Sequence, residues 1–131
     1  MSKIALFPGS FDPFTKGHES IVNQSLKIFD EIIIGVGVNT EKKYLFDLDK
    51  RIQHIQEIFK NQNRVSVASY HGLTVDYCKA ISASHIIRGL RNNIDFEYEK
   101  SIAHMNNAMS NIQTVFLLTN EELSSISSSI I

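Results

Sequence analysis

The chain has 131 residues, a formal net charge of −1 and a single cysteine, Cys78. This length suits one domain with a hydrophobic core, and the charge excludes a protein that binds nucleic acid over a broad basic surface. One cysteine excludes an internal disulfide and fits a reducing compartment, and no apolar run is long enough to span a bilayer. We therefore expect a single cytoplasmic domain, 1–131, without membrane or nucleic-acid partners.

Apolar runs alternate with helical periodicities along the chain, a pattern typical of a parallel sheet covered by helices. The predicted strands are rich in Ile and Val, as strands buried on both faces should be: Lys3–Phe7, Glu31–Val38, Arg64–Ser69, Ser84–Arg88 and Thr114–Leu118. The first predicted helix begins at Gly17-His18, and its residues at helical spacing are Ile21, Val22, Ser25, Leu26 and Phe29. The second carries Leu48, Ile52, Ile55 and Phe59, with Asp47 as its N-cap. The third covers Val75–Ser82 and the fourth runs from about Asp95 to Ala108. Right-handed crossovers would make this an α/β fold, a doubly wound five-stranded parallel sheet of the Rossmann-like kind, with its ligand site at the carboxyl ends of the strands.

A glycine- and proline-containing loop follows the first predicted strand. Residues 9–18 read Gly-Ser-Phe-Asp-Pro-Phe-Thr-Lys-Gly-His. Such a loop presents backbone N–H groups to an anion, with the positive end of a helix dipole and the His18 imidazole beside it. The segment resembles the GxFDPxTxGH signature of the nucleotidyltransferase superfamily, and this spacing is far more specific than a lone glycine-rich loop.

Positive charge recurs at the same predicted sheet edge. Arg88 and Arg91, two of the four arginines, lie at the end of the fourth strand, where this fold class binds ligands. Guanidinium groups bind phosphate in a bidentate manner, and Gly89 lets the backbone come close to a ligand. Lys42 follows the second strand. Each pattern alone also fits a solvated turn, but convergence with His18 on one phosphate site is the simplest interpretation.

Segments spread over the whole chain resemble the bacterial phosphopantetheine adenylyltransferase family. They are Phe7–His18, Lys42–Lys43, Arg88–Arg91, Asp95–Glu99, Ala103–Asn106 and Ile126–Ser129. The resemblance implies transfer of AMP from ATP to 4′-phosphopantetheine, which gives dephospho-coenzyme A and pyrophosphate. It further implies a magnesium ion bridging the ATP phosphates, feedback binding of coenzyme A, and a homohexamer built as a dimer of trimers.

The resemblance also implies a role for individual residues. His18, Lys42 and Arg91 would be catalytic, and Ser10, Lys42, Thr74 and Arg88 would bind the acceptor. The residues expected to bind ATP are Ser10, Phe11, His18, Gly89, Leu90, Arg91, Glu99, Leu123, Ser124, Ser125, Ile126, Ser127, Ser128 and Ser129. No residue is expected to be a dedicated metal ligand.

Alternatives remain open at this point. Family members continue as a helix past the serine segment, whereas this sequence stops at Ile131, so we expect the C-terminal helix to be absent and the ATP triphosphate to be bound weakly. One alternative is therefore a nucleotide- or coenzyme A-binding protein that has lost turnover. Another is a transferase acting on a sugar- or polyol-phosphate. Cys78 lies on an apolar helix face and is expected to be inert core.

Overall fold

The computed structural model describes residues 3–38, 43–90, 100–105, 107 and 112–119. Its elements are β1 Ile4–Gly9, α1 Lys16–Ser25, β2 Glu31–Gly37, α2 Leu48–Ile58, β3 Val65–Tyr70, α3 Thr74–Ala80, β4 His85–Leu90 and β5 Gln113–Leu118. Residues 100–105 are helical, within the range where the fourth helix is predicted. In the described ranges, no helix has the length and apolar character needed to cross a membrane.

The five strands form one parallel sheet in the order β3-β2-β1-β4-β5. Strand order therefore runs outward in both directions from β1, which confirms the predicted doubly wound α/β sheet. Alternation along β1 assigns its side chains to two cores. Ala5 and Phe7 pack on the face covered by α1 and α2, while Leu6 packs with α3 residues such as Val75 and Cys78.

The helix boundaries follow from local capping chemistry. Asp47 is the N-cap of α2, as predicted, and its carboxylate accepts from the backbone N–H of Lys50. The third helix ends earlier than predicted, at Ala80 rather than Ser82. Ser82 adopts a φ of 60°, and the N–H of Ala83 donates to the carbonyl of Cys78 at 2.8 Å. This is the Schellman arrangement that ends a helix. The left-handed position is usually glycine, and because it is serine here the sequence did not indicate the helix end.

Candidate active site

The sheet opens between its central strand, β1, and the neighbouring strand β4. Pairing between them is recorded for Ala5 with His85 and for Leu6 with Ile86, whereas β1 stays paired with β2 as far as Gly9. Past this point the Arg88 side chain reaches across, and its Nη1 donates to the carbonyl of Pro8 at 2.9 Å. The opening lies where strand order reverses, which is the place where doubly wound sheets bind ligands.

Pro8 explains why β1 was predicted too short. The prediction ended the strand at Phe7, the last residue of the apolar run, and the next residue is a proline, which cannot donate to a sheet ladder. The observed strand continues through Pro8 to Gly9. The Arg88 guanidinium, rather than a backbone group of β4, binds the Pro8 carbonyl, so a side chain stands in for the ladder where the strands separate.

The turn into α1 is fixed by a capping box built from Thr15 and His18. The Thr15 hydroxyl accepts from the His18 N–H at 3.3 Å, and the Thr15 N–H donates to His18 Nδ1 at 2.9 Å. The second bond takes the place that glutamate or glutamine usually fills in a capping box. Because Nδ1 is the acceptor, the neutral imidazole carries its proton on Nε2. The half-buried His18 ring is thus set in orientation and tautomer by the loop itself.

Phe11 holds the loop in an uncommon backbone conformation. Its φ is 48°, a left-handed value that costs a residue with a side chain about 1–2 kcal/mol. The ring packs against Phe7, Phe14 and His18 with centroid separations of 5.2, 5.2 and 5.0 Å. Aromatic pairs of this kind contribute about 0.5–1.5 kcal/mol each beyond area burial, so the packing offsets the backbone strain. Gly9 is required beside it, since a Cβ there would lie 2.8 Å from the Phe11 ring.

A cavity of about 490 Å³ occupies the opening, a size suited to a small-molecule ligand. Its lining combines the loop, the start of α1, β4 and the residue after β5: Phe7, Pro8, Gly9, Ser10, Phe11, Asp12, Pro13, Thr15, Gly17, His18, Ile21, Arg88, Gly89 and Thr119. Five of the predicted site residues therefore meet at one cavity, namely Ser10, Phe11, His18, Arg88 and Gly89. The N-terminal turn of α1 directs its dipole and backbone donors to the same place.

Other predicted site residues lie elsewhere. The Leu90 side chain is buried and absent from the cavity lining. The Leu90 carbonyl accepts from the Thr119 N–H at 3.1 Å. Thr74 is half-buried at the first position of α3, also outside that lining. The predictions for Lys42, Arg91, Glu99, Leu123, Ser124, Ser125, Ile126, Ser127, Ser128 and Ser129 fall outside the described residues.

Gly89 has a packing role that the sequence did not suggest. The prediction gave it close approach to a ligand, and it does line the cavity. A Cβ at Gly89 would also lie 3.0 Å from Cγ1 of Ile21. The missing side chain therefore lets α1 sit close against β4, which brings the start of the helix to the opening.

Tyr70, at the end of β3, was missed by sequence reasoning. Its hydroxyl shares a hydrogen bond with the Thr74 hydroxyl at 3.0 Å, and its ring stacks on Tyr77 with centroids 4.6 Å apart. Burial raises the pKa of Tyr70, an effect opposed by the Thr74 hydrogen bond and by the positive charge of Arg88. Tyr70 stays protonated at neutral pH and links Thr74 to the Arg88 side of the site. The sequence feature that could have identified Tyr70 is its position at the carboxyl end of a strand, the same criterion that selected Lys42 and Arg88.

Arg51 of α2 was also missed. It is 4% exposed, and its Nη1 donates to the carbonyl of Ser10 at 2.8 Å. The usable signal was its spacing, because Arg51 precedes Ile55 and Phe59 by four and eight residues and therefore shares their buried helix face. A charged residue on a core-facing stripe needs polar partners inside the protein.

The described acidic groups near the cavity do not form a metal cage. Asp12 lines the cavity, but one carboxylate oxygen accepts from the Phe46 N–H at 2.8 Å and the other from the Leu45 N–H. Among the described residues, no group of three His, Cys, Asp or Glu side chains is placed to hold a metal ion. Among the described residues that line the cavity, Arg88 brings a positive charge and the start of α1 brings a positive helix end.

The loop after β1, the start of α1 and Arg88 lie together at the switch point of a doubly wound sheet, and comparison with known proteins identifies the chain as a nucleotidyltransferase. The sequence model of the family described as Cytidylyltransferase-like matches residues 6–131. A solved bifunctional NMN adenylyltransferase/ADP ribose pyrophosphatase from Francisella tularensis shares the fold, with a TM-score of 0.70 and 18% identity over 100% of this chain and 43% of that one. The lipopolysaccharide core biosynthesis protein from Thermoplasma volcanium does so with a TM-score of 0.63 and 20% identity, over 92% and 98% of the two chains.

Curated relatives narrow this class. A protein named phosphopantetheine adenylyltransferase from Flavobacterium psychrophilum is 58% identical, over 97% of this chain and 84% of the relative. One of the same name from Christiangramia forsetii is 49% identical, over 98% and 85%. The chain belongs to the phosphopantetheine adenylyltransferase family.

Proposed function

We propose that this enzyme transfers the adenylyl group of ATP to the phosphate of 4′-phosphopantetheine, which forms dephospho-coenzyme A and pyrophosphate in coenzyme A biosynthesis. The observation that carries the proposal is the meeting of Ser10, His18 and Arg88 at one cavity in the opening between β1 and β4. Family membership supports the same reaction, because the relatives that match nearly the whole chain bear the name of this activity.

The chemistry is an in-line displacement at phosphorus. An oxygen of the phosphopantetheine phosphate attacks the α-phosphorus of ATP, the new P–O bond forms, and the bond to pyrophosphate breaks. The attacking phosphate is already ionised, so no general base or enzyme nucleophile is required. The protein's contribution is therefore orientation and stabilisation of the charge that moves from the acceptor to the leaving group.

His18 supplies a donor for this charge in the proposed mechanism. The Thr15 N–H occupies Nδ1 at 2.9 Å, which places the proton of the neutral ring on Nε2, and the ring lines the cavity. Nε2–H would donate to an oxygen of the α-phosphate, and the bond would strengthen as negative charge grows there. The loop sets the ring's direction in advance, so little reorganisation is needed during the reaction.

Arg88 and the polar residues beyond it form the proposed acceptor side. The Arg88 guanidinium is held by the Pro8 carbonyl at 2.9 Å and lines the cavity, where its positive charge would bind the acceptor phosphate. Tyr70 and Thr74 continue from Arg88 as a pair of bonded hydroxyls, which suits the amide and hydroxyl groups of a pantetheine arm. Lys42 is proposed to bind the same phosphate, and Arg91, Glu99, Leu90 and the segment Leu123–Ser129 to bind ATP.

Magnesium is proposed to enter with ATP. Both oxygens of the Asp12 carboxylate already accept backbone N–H groups, so this donor set favours an ion held by phosphate oxygens and water over one held by a protein cage. Magnesium would neutralise charge on the triphosphate. The chain's own residues would orient the phosphates from the other side.

The remaining proposals concern assembly, regulation and location. We propose a cytoplasmic homohexamer, a dimer of trimers, that also binds coenzyme A as a feedback ligand. Exposed apolar side chains on the helical residues 100–105 support subunit contacts, since Met105 is 61% exposed and Ile102 is 37% exposed. Sedimentation velocity measures the assembly, and competition of coenzyme A with 4′-phosphopantetheine measures the regulation.

Pyrophosphate release tests the proposed reaction. Purified protein is supplied with MgATP and either 4′-phosphopantetheine or pantetheine, which lacks the phosphate that must attack. Release with the first acceptor and none with the second supports the proposal. Binding of ATP without release would favour the alternative of a nucleotide- or coenzyme A-binding protein. Faster release with a sugar- or polyol-phosphate at the same ATP concentration would instead indicate a different transferase.

A further inference from the structure

Arg51 is a buried charge whose partners in the described structure are neutral. Its Nη1 donates to the Ser10 carbonyl at 2.8 Å and its Nε to the Phe46 carbonyl at 3.1 Å. The guanidinium carbon lies 4.0 Å from the centroid of the Tyr44 ring. The ion pair seen among the described residues joins Lys60 to Glu57 on the surface and does not involve Arg51. The charge of Arg51 is therefore accommodated by carbonyl dipoles and an aromatic face.

Asp12 completes a closed ring of bonds, which we call the Arg51 clasp (Ser10, Asp12, Phe46 and Arg51). The N–H of Phe46 donates to Asp12 Oδ1 at 2.8 Å, while the carbonyl of the same residue accepts from Arg51. Arg51 then returns to the loop at Ser10. The clasp joins three parts of the chain: the loop after β1, the segment that precedes α2, and α2 itself.

The bond to Ser10 determines where the next backbone donor points. In a trans peptide the carbonyl and the following N–H lie on opposite sides. The Ser10 carbonyl faces Arg51, which is absent from the lining of the cavity in the β1/β4 opening. The N–H of Phe11 consequently faces away from Arg51, and both residues of this peptide, Ser10 and Phe11, line that cavity. The same peptide leads into the left-handed Phe11, with its φ of 48°.

We propose that Arg51 is a positioning residue for the reaction: it holds the Ser10–Phe11 peptide so that the loop presents its donors to phosphate. The inference rests on the proposed function and adds a residue that contacts neither substrate. Arg51 also binds the carbonyl of Phe46, which lies four residues after Lys42 in the sequence.

Arg64 provides a matched control, because it too binds backbone carbonyls. Its Nε donates to the Asp30 carbonyl at 3.0 Å, and its Nη2 donates to the carbonyls of Phe29 and Leu26. These residues lie at the amino ends of β2 and β3, the edge opposite the cavity. Arg51→Met and Arg64→Met each remove an arginine with several carbonyl partners, but only the first disturbs the phosphate loop.

The test compares these variants in the full chain, well below their melting temperatures. Calorimetry with inorganic pyrophosphate measures anion binding without reference to any acceptor, and steady-state assays measure kcat and KM. We expect Arg51→Met to weaken pyrophosphate binding and to lower kcat, each by tenfold or more, and Arg64→Met to change both by less than twofold. Arg51→Lys keeps the charge but cannot make both hydrogen bonds, to the Ser10 and Phe46 carbonyls. Its pyrophosphate affinity and kcat should therefore fall between those of wild type and Arg51→Met.

Equal behaviour of Arg51→Met and Arg64→Met in binding and kcat, with only stability changed, would overturn the inference. If Arg51→Met does not fold, Arg51→Lys against Arg64→Lys makes the same comparison. The proposed function can fail separately: a wild-type protein that binds pyrophosphate but does not turn over 4′-phosphopantetheine refutes the reaction, while the effect of Arg51 on pyrophosphate binding is still measured. A wild-type protein that turns over 4′-phosphopantetheine but binds no pyrophosphate would leave the reaction standing and overturn the inference about Arg51 alone.

Discussion

His18 has two separable functions in this structure, one in the fold and one in the proposed reaction. Nδ1 closes the capping box with the Thr15 N–H at 2.9 Å, while the ring lines the cavity. Replacing His18 by asparagine separates them. Asparagine Oδ1 lies the same number of bonds from Cα as Nδ1 and can accept the Thr15 N–H, but the side chain ends short of the Nε2 position. Alanine removes both functions.

The expected magnitudes follow from these contacts. Both variants lose the packing of the ring on Phe11 and Phe14 at 5.0 and 5.2 Å, worth about 0.5–1.5 kcal/mol per aromatic pair. His18→Ala also loses the cap, a further cost of about 0.5–1.5 kcal/mol for a net hydrogen bond. Loss of one preorganised donor to a developing charge lowers kcat by about 10²–10³-fold. Turnover should therefore fall by this factor in both variants, while His18→Asn remains the more stable.

Urea unfolding and pyrophosphate release measure the two effects independently. Comparable destabilisation of the two variants would show that asparagine does not replace Nδ1 in the capping box. Turnover close to wild type in His18→Asn, with the protein folded, would refute the assignment of the imidazole to the α-phosphate. A large rise in KM for ATP with unchanged kcat would mean that His18 binds the ground state and transition state equally.

Arg88→Ala should weaken binding of 4′-phosphopantetheine by about 10- to 150-fold, the cost of one charge-assisted phosphate contact of about 1.5–3 kcal/mol, and calorimetry showing an effect on ATP alone would contradict this. Gly9→Ala places a Cβ 2.8 Å from the Phe11 ring and should lower the free energy of unfolding by about 1–3 kcal/mol, as overpacking does; an unchanged urea midpoint would refute it. Burial raises the pKa of the Cys78 thiol to about 11, so a thiol reagent at neutral pH should react with it only after unfolding, and fast native-state labelling would contradict this. Burial lowers the pKa of His85 below its ordinary value of 6.5, so the native state takes up protons less readily than the unfolded chain and loses stability as pH falls from about 6.5 toward the lower folded pKa. The melting temperature of His85→Gln should depend less on pH over that interval, and an identical slope in the two proteins would refute the assignment.

The sequence predicted the fold well because hydrophobic runs and helix caps are local signals. The five strands were found near their observed positions, and the Asp47 cap was identified from the residue type alone. The errors occur where a distant group or a backbone conformation decides. β1 continues through Pro8 to Gly9 because it stays paired with β2, and the left-handed Ser82 ends α3 two residues early.

For the site, the motif identified the residues that line the cavity but not those that support them. Ser10, His18 and Arg88 were predicted, and they meet at the cavity. Tyr70 and Arg51 were missed, since a tyrosine ending a strand and an arginine within a helix are ordinary in composition. The predicted single domain, and the predictions that fall on Lys42, Arg91, Glu99 and the serine segment, stay predictions.

The supporting residues escaped detection for a physical reason. Adenylyl transfer to an ionised phosphate needs no enzyme nucleophile, so its rate depends on how firmly the loop's donors are placed. Firm placement is achieved here through backbone atoms: the Ser10 carbonyl, both polar groups of the Phe46 backbone and the N–H of Thr15 each accept or donate a defined bond. Every residue type carries the carbonyl and every type except proline carries the N–H, so these groups cannot be recognised in a sequence motif. A sequence shows the side chains that bind these backbone groups, such as Arg51, but it does not show that they contact the loop. That contact becomes visible only in the folded chain.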